Sequence, residues 1–179
     1  MPDRVYGPEF MKRCISGSPA GVRHYFLGAS RKCLEDLLAA ALRLNRALTI
    51  CGSHHGYFTD EQKGKIGKLV KEANPDIVWV GLGTPKQQEL AAWLKHRINR
   101  GWILNVGFAF DVTAGHKRDA PLWMQRAGLT WLFRLASEPT RLGPRYIKYN
   151  SLFLILAAKS LLRQKFDRVF RATKSNNFR

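Results

Sequence analysis

The chain is short of acids. Its 179 residues carry 13 Asp and Glu against 30 Lys and Arg, a formal net charge of +17 with a pI near 10.4. So basic a surface calls for an anionic partner: nucleic acid, anionic lipid or a phosphorylated substrate. Cysteine is scarce as well. Cys14, Cys33 and Cys51 are odd in number, widely spaced, and form no CxxC pair or metal-ligand set. This argues against a disulfide scaffold or zinc module and fits a reduced, cytosolic setting. Long apolar runs are missing: the longest, Leu152–Ala158, is too short to cross a bilayer. No signal-peptide pattern, internal repeat or low-complexity tract is visible, and there is no Walker A, GxGxxG or DxD-type motif. What remains is a globular composition, 45% hydrophobic, long enough to bury a core as one domain with an appendage.

The most informative stretch is residues 77–89, IVWVGLGTPKQQE. Ile77–Val80 is apolar without alternation, which predicts a strand buried on both faces, as in a parallel sheet. Gly81 and Gly83 end it. Thr84 then suits a helix N-cap, Pro85 the first helical position and Gln87 the third, a capping box. A strand that stops at glycines and restarts as a capped helix aims free N–H groups and a positive dipole end at one spot, which suits a phosphate or carboxylate. An ordinary strand-to-helix turn has the same local pattern.

The rest of the core repeats this rhythm. His24–Gly28 reads as a first strand, 31–45 as a helix with Leu34, Leu37, Leu38, Ala41 and Leu42 at helical spacing, and Ala47–Gly52 as a second strand. The SHHGYF that follows places His54, His55, Gly56 and Tyr57 in a polar, ligand-facing loop. Adjacent histidines rarely share a metal, and no cysteine or carboxylate stands at ligand spacing, so no metal is expected. Thr59–Asp60 caps a helix that Asn74-Pro75 stops. The helix after Pro85 runs to about Asn99, and Trp102–Val106 is a fourth strand ending at Gly107. Asp111 lies just beyond it, either a ligand-facing carboxylate or a turn residue. Residues 1–12 contain no strand, only a Gly-Pro-punctuated stretch, and Arg4 there is by itself no more than a surface charge. Strands alternating with helices give an α/β fold: a Rossmann-like parallel sheet with helices on both faces and glycine-rich loops at one edge.

At residue 118 the pattern changes, dividing the chain into a 1–117 core and a 118–179 appendage. Leu122, Trp123, Leu129, Trp131, Leu132 and Leu135 mix with Arg126 and Arg134, and Pro139 and Pro144 are expected to break any helix. Residues 150–165 read as a helix with a basic stripe at Lys159 and Arg163. From Arg141 onward ten Lys and Arg face a single acid, Asp167. An apolar face beside a basic one suits an anionic membrane surface. A helix covering the domain's own core is the other reading.

Taken in order, GLGTPKQQE, NVGFAFDVTAG and RDAPLWMQRAGLTWLFRLASEPTR with the following RY resemble the WecG/TagA/CpsF glycosyltransferases, family 26, over about residues 4–147. With no DxD-type carboxylate pair, and with arginines and helix N-termini available for the electrostatic work, no metal or other cofactor is expected. The resemblance implies an inverting transferase. It would move an N-acetylmannosamine-type sugar from a UDP donor to a polyprenyl-diphosphate-linked saccharide in cell-envelope polysaccharide synthesis. Its place would be peripheral, on the cytoplasmic face of the membrane. It implies catalytic roles for Arg4, in RVYG, and Gln87, in PKQQE. The loops carrying Gly28, His55, Gly56, Tyr57, Gly83 and Thr84 are expected to converge on one substrate pocket, to which the resemblance adds Asp111, with Arg134, Arg141 and Arg145 reaching the donor diphosphate. The family's general base is an aspartate in an ADG-like motif upstream of the RVxG arginine. No such motif precedes Arg4, so the chain reads as a fragment without the base and is expected to be inactive alone. PKQQE for PKQE is a smaller departure.

Two other classes compete. A nucleic-acid-binding module on a Rossmann-like core would explain the charge, but the basic residues gather on an apolar segment and the aromatics there show no base-stacking pattern. A folded, non-catalytic remnant is the third. The expected partners are thus the UDP-sugar, the lipid-linked saccharide and anionic membrane, without nucleic acid; a homo-oligomer is compatible with the sequence.

Overall fold

The computed structural model describes residues 5–140, 142–144, 146–153, 155–157, 159 and 160. Contacts divide the chain into two compact units, Met1–Asp119 and Ala120–Arg179.

The first unit is built on four parallel strands: β1 (Arg23–Gly28), β2 (Thr49–His54), β3 (Ile77–Gly81) and β4 (Trp102–Asn105), in the order β2-β1-β3-β4. Its register pairs Phe26 with Trp79 and Trp79 with Leu104. Between them run α2 (Arg31–Leu44), α3 (Asp60–Glu72) and α4 (Lys86–Lys95). The sheet is the Rossmann-like α/β arrangement that the alternation implies.

Successive strand residues point to opposite faces, and the core divides accordingly. Phe26 and Trp79 face one layer, where Leu34, Leu37 and Ala41 of α2 pack with Phe110. Tyr25, Leu27, Val78 and Val80 face the other, against Ile66 and Val70 of α3 and Leu90 and Leu94 of α4. Burial on both faces is why the strands read as continuous apolar runs.

One helix has no counterpart in the sequence reading. α1 (Gly7–Ser16) seats Met11 and Ile15, both fully buried, in the Phe26–Trp79 layer. Pro8 sits in its first turn, where a missing amide costs nothing; the Gly-Pro pair marks a helix start rather than a loop. At the amino edge, Asp76 closes the sheet. Its Oδ2 accepts from the Arg23 amide at 2.9 Å and its Oδ1 pairs with Arg100 at 2.9 Å.

The second unit holds α6 (Leu122–Arg126) and α7 (Thr130–Ser137), and every described residue from Pro139 to Ser160 is helical. The break expected at Pro139 is present: α7 ends at Ser137, Glu138 leaves the helix at φ −139°, and helical backbone resumes at Pro139, where no amide is needed. The break expected at Pro144 is corrected: Pro144 is itself helical, as are Leu142 and Gly143 before it and Tyr146 beyond it among the described residues. Residues 150–153, 155–157, 159 and 160 are helical as expected; 161–165 lie outside the described residues. Leu122, Trp123, Phe153 and Leu156 are exposed, and the Trp131 and Tyr146 rings meet edge-on at 6.3 Å.

Candidate functional site

In a parallel sheet every strand delivers its following loop to the same edge. The chain leaves β1 for one flank and crosses back past it to β3, so the order reverses between β1 and β3. At such a reversal the loops diverge and leave a crevice outside the carboxyl ends. Here the loops meet backbone to backbone. Gly28, at φ +146°, lies so close to Gly81 that no side chain fits. The Ala29 amide donates to the Gly81 carbonyl at 3.0 Å, and the Gly56 amide to the Ala29 carbonyl at 2.8 Å. Ala29 is held at φ +55°, a conformation that costs a non-glycine residue roughly 1–2 kcal/mol. The loops after β1, β2 and β3 are thus tied to one another around Gly28, Gly56 and Gly81.

Positive charge and dipole ends surround this edge. α2 starts here, its Ser30 hydroxyl capping the Cys33 amide at 3.2 Å, with Arg31 and Lys32 in its first turn. α4 also begins here, though not as a capping box. Pro85, joined to Thr84 by a cis peptide bond, takes the N-cap position, and the Gln87 amide donates to the Gly83 carbonyl at 3.2 Å. With that amide taken, the Thr84 hydroxyl instead accepts from the Gln88 side chain at 3.4 Å. The expectations of Thr84 as cap and of a helix to Asn99 are corrected: α4 spans Lys86–Lys95.

β2 runs through Ser53 and His54, so His54 belongs to the strand rather than the loop. Its Nδ1 donates to the His55 carbonyl at 2.7 Å. His55 Nδ1 accepts the Tyr57 amide at 3.3 Å, which places the His55 proton on Nε2. Burial, then the charges of His54 and Arg31, lower the His55 pKa. A hollow of about 300 Å³ lies beside this loop, lined by His54, His55, Tyr57, Gln62 and Lys65. A larger one of about 540 Å³, at Lys95, Arg100 and the exposed Trp102, abuts the first residue of β4 and so lies at the opposite, amino edge.

Asp111 stands on a short helix, α5 (Ala109–Thr113), not in a loop. Its carboxylate faces α2 and its own downstream turn: Oδ1 is 3.9 Å from the Cys33 thiol and Oδ2 is 3.9 Å from Lys117 Nζ. Burial first, then Asp111 and Asp36, push the Cys33 thiol up to about 11, so it stays protonated. Beside it His116 Nε2 meets Asp36 Oδ2 at 2.7 Å. Among the described residues, no three His, Cys, Asp or Glu groups converge as a metal set.

Of the residues singled out from sequence, Gly28, His55, Gly56, Tyr57, Gly83, Thr84 and Gln87 lie on the carboxyl-edge loops or at the start of α4. Asp111 is in the helix that follows the β4 loop. Arg134 is in α7 of the second unit. Arg4, Arg141 and Arg145 lie outside the described residues. Sequence reasoning placed Gly107 at the end of the fourth strand but missed that its bare Cα lies against Gln87. It also missed Tyr6, whose hydroxyl donates to Asp119, a pairing no local pattern encodes.

In an open α/β sheet, the loops at such a reversal point are where ligands bind. The sequence profile of the glycosyl transferase WecG/TagA/CpsF family matches residues 1–167. The chain belongs to that family, a class of glycosyltransferases of cell-envelope polysaccharide synthesis that use a sugar-nucleotide donor and a lipid-linked acceptor.

Proposed function

We propose that the chain carries the fold and donor site of an inverting transferase. The sugar is of the N-acetylmannosamine type, the donor a UDP-sugar and the acceptor a polyprenyl-diphosphate-linked saccharide. The observation that carries this reading is the meeting of the loops around Gly28, Gly56 and Gly81 at the sheet's reversal point, in a chain of this family. In such a reaction the acceptor hydroxyl oxygen bonds to the anomeric carbon from one face while the UDP oxygen leaves from the other. The hydroxyl proton goes to a base, and the departing diphosphate gathers charge. A base and a set of cations or N–H dipoles meet those needs.

The starts of α2 and α4 supply dipoles, and Arg31, Lys32 and Lys86 supply charge. On the strength of the family resemblance alone, Arg134, Arg141 and Arg145 are assigned to the diphosphate, which arginine forks suit, and Arg4 and Gln87 to the reacting centre. Asp111, already engaged by Cys33 and Lys117, is assigned to shaping the pocket rather than to taking the proton. On this reading no metal is needed.

The second unit is assigned to the membrane, on the cytoplasmic side. Among the described residues no helix is long and apolar enough to cross a bilayer. Exposed Leu122, Trp123, Leu152, Phe153 and Leu156 stand among Arg126, Lys148 and Lys159, the pairing of apolar and basic groups that an anionic leaflet attracts. The test is calorimetric titration with UDP, with and without EDTA. Binding indifferent to EDTA is expected; a requirement for a divalent cation would overturn the metal-free reading.

A further inference from the structure

Gln87 lies with its amide across the turn that leaves β4. Its Oε1 is buried and has no hydrogen-bond partner among the described residues. A buried acceptor without a partner is unfavourable, so packing must hold it in place. Gly107 lies directly beneath it. Gly107 sits at φ +50°, and a Cβ there would stand 3.0 Å from Gln87 Oε1 and 3.3 Å from the Leu82 carbonyl oxygen. The contact with Leu82 is with backbone, so a methyl group at 107 pushes on the Gln87 amide, which must give by a few tenths of an ångström. Gly107 itself is fixed by its amide, which donates to the Val80 carbonyl at 3.2 Å.

We infer that Gly107 is a positioning residue. Its bare Cα is the floor on which Gln87 rests, so that Nε2 is turned outward as a hydrogen-bond donor to an acceptor oxygen of the sugar nucleotide. The inference rests on the donor-site reading above. The acceptor oxygen belongs either to the UDP or to the sugar, and Asp111, one turn further along, is not needed for it.

The test is a double-mutant cycle on binding. UDP and UDP-N-acetylmannosamine are titrated calorimetrically into the full chain and into its Gly107→Ala, Gln87→Ala and doubly substituted forms, each checked by thermal melting. Gly107→Asn joins the set because asparagine tolerates a positive φ while carrying the same Cβ. The expected result is a roughly threefold to tenfold loss for each single variant, the worth of one hydrogen bond, with the double variant no weaker than Gln87→Ala alone. Loss with both ligands places the oxygen on the UDP; loss only with the sugar nucleotide places it on the sugar. The Gln87 side-chain amide signal in a ¹⁵N-correlated spectrum should shift in Gly107→Ala without any ligand. Unchanged binding in both Gly107 variants, additive losses, or an unmoved Gln87 signal would overturn the inference. Failure of the parent chain to bind either ligand would overturn the donor-site reading, and the inference with it.

Discussion

Trp79 donates its indole N–H to His24 Nδ1 at 3.0 Å, and both residues are completely buried. The indole is a donor only, so Nδ1 carries no proton and the imidazole proton is on Nε2, which faces the Ser18 hydroxyl at 2.8 Å. The ring is neutral, and it lies nearly parallel to Trp79 at 6.2 Å. This chain of Ser18, His24 and Trp79 joins the loop before β1 to the centre of β3.

Burial lowers the His24 pKa, opposed in part by the charge of Asp76. In the unfolded chain His24 takes a proton near its ordinary pKa of about 6.5, while in the folded chain it resists doing so. The unfolded state therefore binds more protons below that point, and stability falls with falling pH from about 6.5 towards the lowered folded value, by up to about 1.4 kcal/mol per pH unit. Urea titrations between pH 7.5 and 5 should show the slope in the parent and a shallower one in His24→Gln. Equal slopes would mean that His24 is protonated in the fold.

Caps separate two neighbouring helices at the site. Ser30→Ala should cost about 1 kcal/mol, because it removes the hydroxyl that accepts from Cys33. Thr84→Ala should fall within about 0.5 kcal/mol, as is usual for surface substitutions, because its hydroxyl meets only the exposed Gln88 side chain. Chemical denaturation of the two variants checks the order; a larger loss at Thr84 would restore it as the cap of α4.

The layered sheet was legible because burial on both faces leaves an unbroken mark, as in Ile77–Val80, and because glycines punctuate the carboxyl ends. The glycine-rich edge was legible for the same reason. α1 was not, because its Gly-Pro start looks the same whether a helix or a loop follows. The cap at Thr84 fitted the sequence pattern, but the Gly83 carbonyl takes the amide the hydroxyl would have used, a competition invisible in a string of letters. The contacts of Asp111 with Cys33 and of Gln87 with Gly107 join residues far apart in the chain and depend on how α5 and α4 settle on the sheet.

For the second unit, replacing Leu152 and Phe153 by serine, or reversing the charge at Lys148 and Lys159, should reduce co-sedimentation with anionic vesicles. Each basic group near such a surface is worth on the order of 1 kcal/mol and is screened by salt. The parent should lose binding as salt is raised. Retention unaffected by either substitution pair or by salt would return these apolar residues to a role within the protein.

The measurement that bears most directly on the whole account is a UDP titration of the ¹⁵N-labelled chain followed residue by residue. The account predicts that amide signals of Gly28, Ala29, Gly56, Gly83 and Gln87 shift together, with a single dissociation constant, while those of Arg100, Gly101 and Trp102 at the amino edge stay in place. Shifts confined to the hollow at Lys95, Arg100 and Trp102, or a spectrum that UDP leaves unchanged, would contradict it.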